Sequence, residues 1–141
     1  MRISNSMSRI ALIFFSYIAL TTHLYSSDGL IVASTSASSI DSHFHVTYNS
    51  KSMPVPLNKI HQWVINIKDR DGNAVEKATI LVDGGMPAHN HGLPTQPIAT
   101  EIGNGNYLIE GMKFSMTGLW EMWFYIQTDT VKDEVMFVVA F

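Results

Sequence analysis

Two histidines and a methionine lie close together in the segment GGMPAHNHGLPTQP, residues 84–97. Imidazole nitrogen binds copper and zinc, and thioether sulfur selects the softer Cu(I). The prolines of this segment restrict its backbone and so reduce the entropy lost when a bound metal orders it. Met86, His89 and His91 are therefore candidate metal ligands. The alternative is a structural surface loop whose histidines hydrogen-bond to neighbouring carbonyl groups.

A second group of soft side chains follows in GMKFSMT, residues 111–117. Alternate residues of a strand share one face, which would place Met112, Phe114 and Met116 together. Methionine often fills irregular gaps in a core, so packing is the simpler explanation of this pattern. If this strand ends beside the histidine loop, however, Met112 and Met116 become further metal ligands.

Two other histidine patterns are open to a metal or a structural interpretation. His43 and His45 repeat the H-x-H spacing on a predicted strand, where alternate side chains lie roughly 7 Å apart on one face. The spacing suits chelation, but it also suits the solvated outer face of an edge strand, which we favour. His61 shares a face with Trp63 and Ile65, which is typical of a packed histidine.

Short strands separated by turns must position these residues. Apolar and polar residues alternate with a period of two, and Asp-Gly at 71–72 and Gly-Asn-Gly-Asn at 103–106 are typical of turns. The predicted strands cover residues 43–48, 60–68, 78–83, 98–102, 107–114, 119–128 and 135–141. This spacing predicts an all-β domain, an antiparallel β-sandwich of about seven strands, with no helix.

The first 37 residues have the pattern of an export segment. Arg2 and Arg9 precede an apolar run at 10–20, which is shorter than the ~20 residues that a membrane-spanning helix needs. We predict a signal peptide, with a cleavage site after Ala37, and a single domain at 38–141. An uncleaved anchor with a Ser-rich tether is the alternative. Both place the domain outside the cytoplasm, in the periplasm or secreted.

Composition excludes several functions. The chain has 9 Lys and Arg against 12 Asp and Glu, a net charge of −3 at pH 7, which argues against binding nucleic acid. It has no cysteine, which excludes disulfides and thiolate chemistry. No phosphate-binding glycine loop and no nucleophile motif is present, so we predict that the protein is not an enzyme.

The blocks MPAHNHG and GNGNYLIEGMKFSMTGLW, together with NKIHQWVINIKDRDGNAV before them, resemble the YtkA-like/FixH-like family of small exported or membrane-anchored domains. The similarity extends over residues 58 to about 139. It implies an immunoglobulin-like sandwich in the cell envelope and a link to copper handling, including oxidase assembly. Met86, His89, His91, Met112 and Met116 fall on the family's motif, whereas His43 and His45 do not.

The sequence therefore predicts a periplasmic or secreted copper carrier whose ion is held by His89 and His91 together with soft ligands from Met86, Met112 or Met116. An envelope copper protein or an oxidase assembly partner would exchange the ion with it. The alternative is an interaction module without a metal, in which Trp123 and Tyr125, on the outer face of their strand, contact another protein. A carrier of a small ligand, bound between the sheets, is a third hypothesis.

Overall fold

The computed structural model describes residues 34–141, which form nine β-strands and no α-helix. The strands are β1 (Ser36–Ser38), β2 (Phe44–Ser50), β3 (His61–Asp69), β4 (Thr79–Met86), β5 (His91–Gly92), β6 (Ile98–Gly103), β7 (Asn106–Met112), β8 (Leu119–Gln127) and β9 (Lys132–Ala140). All strand pairs are antiparallel. Within these residues no helix is long and apolar enough to cross a membrane.

The strands form an immunoglobulin-like sandwich that is nearly closed into a barrel. One layer has the order β1-β2-β3-β7-β6, and the other has the order β4-β8-β9, with β5 paired to β4. Leu81 and Ile98 pair where β4 meets β6 and so join the layers on one side. On the other side the backbone N–H of Ile40 donates to the carbonyl of Glu134, 2.8 Å away, and links the β1–β2 connection to β9.

The core lies between the layers, and the period-two pattern predicted its main faces correctly. On β3, Trp63, Ile65 and Ile67 are fully buried, and His61 is buried beside them, as predicted. The inward face of β8 is equally buried and consists of Trp120, Met122, Phe124 and Ile126. The predicted all-β sandwich is confirmed, with two short strands more than the seven expected.

Some strand ends differ from the prediction. β4 runs on to Met86 instead of ending before the loop, and β9 begins at Lys132, three residues early. β7 ends at Met112, so Met116 lies in the connection to β8 and not on a strand. The proposed cleavage site after Ala37 falls within β1, while the export segment before residue 34 lies outside the described residues.

Candidate functional site

The histidine loop is a tight hairpin at one end of β4. Pro87–His89 form a single 3-10 turn, and Asn90 takes a left-handed conformation with φ 52°, which asparagine tolerates better than most residues. β5 then returns along β4, with Met86 opposite His91. The hairpin therefore places Met86 and His91 side by side on neighbouring strands.

His91 meets Met116 across the chain. The His91 Nε2 lies 3.2 Å from the Met116 Sδ, and its Nδ1 lies 3.2 Å from the carbonyl oxygen of Gly92. Because a carbonyl can only accept, Nδ1 carries the proton in a neutral ring that makes this bond. In that tautomer the lone pair of Nε2 faces the sulfur, and Nε2 is able to bind a metal.

The separation of these two atoms suits one ion. Zinc, for example, bonds imidazole nitrogen at about 2.0 Å and cysteine thiolate sulfur at about 2.3 Å. Two donor atoms 3.2 Å apart are close enough to contact the same metal. The residues present thus fit a metal bound by nitrogen and sulfur.

Trp120 contacts both His91 and Met116 and holds them in place. It is fully buried, and its Nε1–H donates to the backbone carbonyl of Met116 over 3.1 Å. Its ring meets the His91 ring nearly edge to face, with centroids 5.4 Å apart and an interplanar angle of 71°. Sequence reasoning treated Trp120 as core alone. Its role depends on the fold, which brings β8 beside the hairpin.

The remaining predicted ligands lie at different depths. His89 is exposed, with its ring centroid 6.1 Å from that of His91, so both rings border the same surface. Met86 is buried, at 2 % exposure, and its methyl group packs against Gly118, where an added Cβ would be 2.6 Å away. Met112 is fully buried in the core opposite His61 on β3. His91 and Met116 are thus the predicted pair that the structure brings into contact.

An open groove of about 400 Å³ borders the hairpin on the outer face of β4 and β8. Its lining includes His91, the carboxylates Asp83 and Glu121, and the rings of Trp123 and Tyr125. These two rings are stacked, with centroids 6.3 Å apart and planes at 15°. The acidic side chains make the approach to His91 attractive to cations.

A separate cluster of His and Asp side chains lies at the closure, where the β1–β2 connection meets β9. Potential ligand atoms of Asp41, His43 and Asp133 lie within 4.8 Å of one another. The Asp133 side chain is only 1 % exposed, and both of its oxygens already accept hydrogen bonds. Its Oδ2 accepts from the Ser39 hydroxyl at 2.6 Å, the His43 N–H at 3.2 Å and the His43 Nδ1 at 3.1 Å.

The Oδ1 of Asp133 accepts from the N–H groups of Asp41 and Glu134, at 3.1 and 2.8 Å. Burial raises the pKa of Asp133, but the hydrogen bonds, led by the one from Ser39, outweigh it and hold the pKa well below its usual range. A carboxylate offers about four lone-pair positions, and here they are occupied. We therefore interpret this cluster as a structural network.

The two histidines of the second H-x-H pattern do not converge. His43 points to Asp133, whereas the exposed His45 lies with its Nε2 2.8 Å from the Ser36 hydroxyl. Asp133 was not predicted as a site residue, although the alternating pattern of β9 indicates that it is buried. It shares the inward face of β9 with the buried residues Val135 and Phe137, where a carboxylate needs partners.

The profile of the YtkA-like family matches residues 43–123, which is more than half of the chain. The chain belongs to the YtkA-like family. No curated protein and no solved structure gives a significant match.

The YtkA-like match begins and ends earlier than the predicted span of 58 to about 139. It therefore includes His43 and His45, which we had placed outside the family's motif. All five predicted ligands lie within it. Asp133 lies beyond its end, on the last strand of the domain.

Proposed function

We propose that this YtkA-like protein is an exported, non-catalytic carrier of copper, with His91 and Met116 as the central ligands. The contact of 3.2 Å between His91 Nε2 and Met116 Sδ carries the proposal. An imidazole lone pair that faces a thioether sulfur has no proton to share with it, and a soft cation satisfies both atoms. Thioether ligation favours Cu(I) over Cu(II) and Zn(II).

Exchange of the ion with another protein is supported by the position of the site. His89 is exposed beside His91 and supplies a second imidazole that an incoming ion meets first. Met86 is opposite His91 on the hairpin and would supply a second sulfur. The acidic groove beside the hairpin would guide the cation, and an envelope copper protein or an oxidase assembly partner would exchange it.

The test is a titration of the purified protein with Cu(I) in the presence of a competing chelator, repeated with Cu(II) and Zn(II). We expect one Cu(I) per chain, bound more tightly than the other two ions. Replacing His89 and His91 together by Ala should abolish binding while urea unfolding stays cooperative. His45→Ala, which removes another exposed histidine, is the matched control and should bind normally.

Met116→Leu separates a sulfur ligand from a packing residue, because leucine has nearly the same volume. It should weaken Cu(I) binding strongly and Zn(II) binding much less. Cu(I) binding that is unchanged in both this variant and the double histidine variant would refute the proposal. Loss of cooperative unfolding in the histidine variant would instead identify the hairpin as structural.

The stacked rings of Trp123 and Tyr125 favour a second candidate, a protein-interaction module without a metal. Two flat aromatic faces among polar groups are typical of residues that contact a partner. In this case none of the three metals would bind. A Trp123→Ala variant would lose a partner recovered by cross-linking in the cell envelope, while its stability stayed the same.

A further inference from the structure

The six methionines of the described residues differ in how far solvent reaches them. Three are buried in the core: Met86, Met112 and Met122. Met53, in the β2–β3 connection, is 80 % exposed, and Met116 and Met136 are half-buried. A small oxidant such as hydrogen peroxide therefore meets these last three before the core methionines, because oxidation of a thioether requires access to its sulfur.

Among the accessible methionines, Met116 is the one that belongs to the proposed metal site. Its Sδ lies 3.2 Å from the Nε2 of His91, which faces it with a lone pair when Nδ1 donates to the carbonyl of Gly92. When a sulfur lone pair attacks an oxidant, positive charge develops on the sulfur. A lone pair held beside that sulfur stabilises the charge, so we expect Met116 to react faster than Met136, which is opposite Trp123 on β8.

An oxygen atom added to this sulfur on the side of His91 would disable both ligands. Cu(I) prefers soft sulfur ligands to the hard oxygen of a sulfoxide. That oxygen also accepts hydrogen bonds and repels the Nε2 lone pair, so it favours the form of the His91 ring that carries a proton on Nε2. A ring nitrogen with a proton has no lone pair for a metal. One oxygen atom therefore removes a sulfur donor and an imidazole donor together.

We propose that Met116 is a site of reversible oxidation by a peroxide, and that its sulfoxide switches off copper binding by Met116 and His91. The proposal rests on the copper-carrier function and adds a regulation of the same site. Bound Cu(I) occupies the sulfur lone pair, so the loaded protein is protected and the empty protein is the form that peroxide inactivates. The oxidised carrier cannot take up copper until the sulfoxide is reduced.

The reaction transfers one oxygen atom from hydrogen peroxide to sulfur. A lone pair of the Met116 sulfur attacks one peroxide oxygen, so that an S–O bond forms while the O–O bond breaks. The transferred oxygen gives its proton to the departing hydroxide, which becomes water. The sulfur loses two electrons and the peroxide gains them. Methionine sulfoxide reductases reverse the change: two thiols become a disulfide, and the oxygen leaves as water.

The first experiment compares the oxidation rates of the individual methionines in the purified protein treated with hydrogen peroxide, measured by mass spectrometry of its peptides. We expect Met53 and Met116 to be oxidised faster than Met136, and the core methionines to be slowest. Ag(I) serves as a soft ion that peroxide does not oxidise. At ten times its dissociation constant it should slow the oxidation of Met116 about tenfold, because only about a tenth of the protein remains free. Met53 is the internal control and should react at an unchanged rate.

The second experiment measures what the sulfoxide of Met116 does to metal affinity. The double variant Met53→Leu and Met136→Leu leaves Met116 as the accessible methionine of the described residues and nearly conserves side-chain volume. After peroxide treatment its affinity for Cu(I), measured against a competing chelator, should fall by about a hundredfold or more, since losing a hydrogen-bond partner of a ligand alone costs ~10–100-fold. A methionine sulfoxide reductase with dithiothreitol should restore the affinity.

Met116→Gln is the matched variant, because its amide oxygen takes roughly the place of the sulfoxide oxygen and cannot be removed by the reductase. It should bind Cu(I) as weakly as the oxidised protein, before and after reductase treatment, while urea unfolding stays cooperative.

Two results would overturn the switch. Oxidation of Met116 as slow as that of the buried Met122 would show that its sulfur is out of reach of peroxide. Equal Cu(I) affinity of the oxidised and reduced double variant would show that the sulfoxide leaves the site intact. A reduced protein that binds no Cu(I) would instead refute the copper-carrier function, and the regulation would fall with it.

Discussion

Replacing Asp133 by Asn should destabilise the domain far more than an ordinary surface substitution. The side chain keeps its shape, but an amide nitrogen takes the place of Oδ2 and cannot accept from the His43 N–H. Leaving that donor without an acceptor costs about 1–3 kcal/mol. The Ser39 hydroxyl lies 3.2 Å from the carbonyl of Phe44 and can donate to it instead, so it adds little.

The two hydrogen bonds to Oδ1 remain but lose their charge. Charge-assisted bonds contribute roughly 1.5–3 kcal/mol and neutral ones roughly 0.5–1.5 kcal/mol, a loss of about 1 kcal/mol for each. Together with the unpaired N–H, the free energy of unfolding should fall by roughly 3–5 kcal/mol. For a domain of this size, each kcal/mol lowers the melting temperature by roughly 4 °C or more.

Urea denaturation followed by tryptophan fluorescence measures this change. The control is Asp129→Asn, an exposed aspartate in the turn between β8 and β9, which should alter stability by less than about 0.5 kcal/mol. If Asp133→Asn also costs less than about 1 kcal/mol, the network at the closure does not stabilise the fold and the reasoning is wrong.

The native protein and the Asp133→Asn variant should also differ in how their free energy of unfolding depends on pH. Because folding lowers the pKa of Asp133, its carboxylate stabilises the native state above the ordinary aspartate pKa of about 3.9. This stabilisation is lost as the pH falls below that value toward the folded pKa. The difference in unfolding free energy between the native protein and Asp133→Asn should therefore be full at pH 7 and shrink below pH 4.

Further predictions concern the site and its surroundings. Trp120→Phe keeps a buried ring but removes the donor that holds Met116, and should weaken Cu(I) affinity by about tenfold or more in a chelator competition. Gly118→Ala should destabilise the domain, because φ is +129° and the new Cβ would be 2.6 Å from the methyl group of Met86; a thermal melt measures this. Tyr107→Phe removes a buried hydroxyl that donates to the carbonyl of Val75 over 2.9 Å, and should cost about 1–3 kcal/mol in urea unfolding. Cu(I) at a hundred times its dissociation constant should stabilise the native protein by about 2.7 kcal/mol, visible as a higher melting temperature.

The strands in which apolar and polar residues alternate could be predicted from the sequence. In such a strand the burial of each side chain follows from its position in the alternating pattern. β3 and β8 show this most clearly, since their inward faces are continuous rows of large apolar residues. The turn at 103–106 could also be predicted, because its residue types favour positive φ. Asn104 and Gly105 do take positive φ.

The end of β4 could not be predicted because glycine disfavours strands. Gly84 and Gly85 nevertheless continue the strand against β8. They do so because their small size lets Met122 pack against one face of Gly84, where a Cβ would be only 2.5 Å from its sulfur. A segment predicted to be a loop is therefore half of a hairpin, and this geometry turns His91 toward Met116.

The partners of the site residues depend on tertiary structure, which no local pattern encodes. His91 and Met116 are separated by 25 residues, and Ser39 and Asp133 by 94. The residue types that could bind a metal were visible in the sequence. The pairing of one histidine with one methionine followed only from the order of the strands, whereas the burial of Met112 agrees with the packing interpretation of its pattern.

The network around Asp133 also affects when the domain can finish folding. Its acceptor is on β9, the last strand of the described domain, and most of its donors are near β1 and β2, at the opposite end of the domain. Contacts between such distant positions form late and slowly, because the intervening chain must be ordered first. A domain that emerges from the ribosome with β1 first therefore cannot complete this network until β9 has emerged. The network that stabilises the native fold therefore cannot form in a domain that still lacks β9.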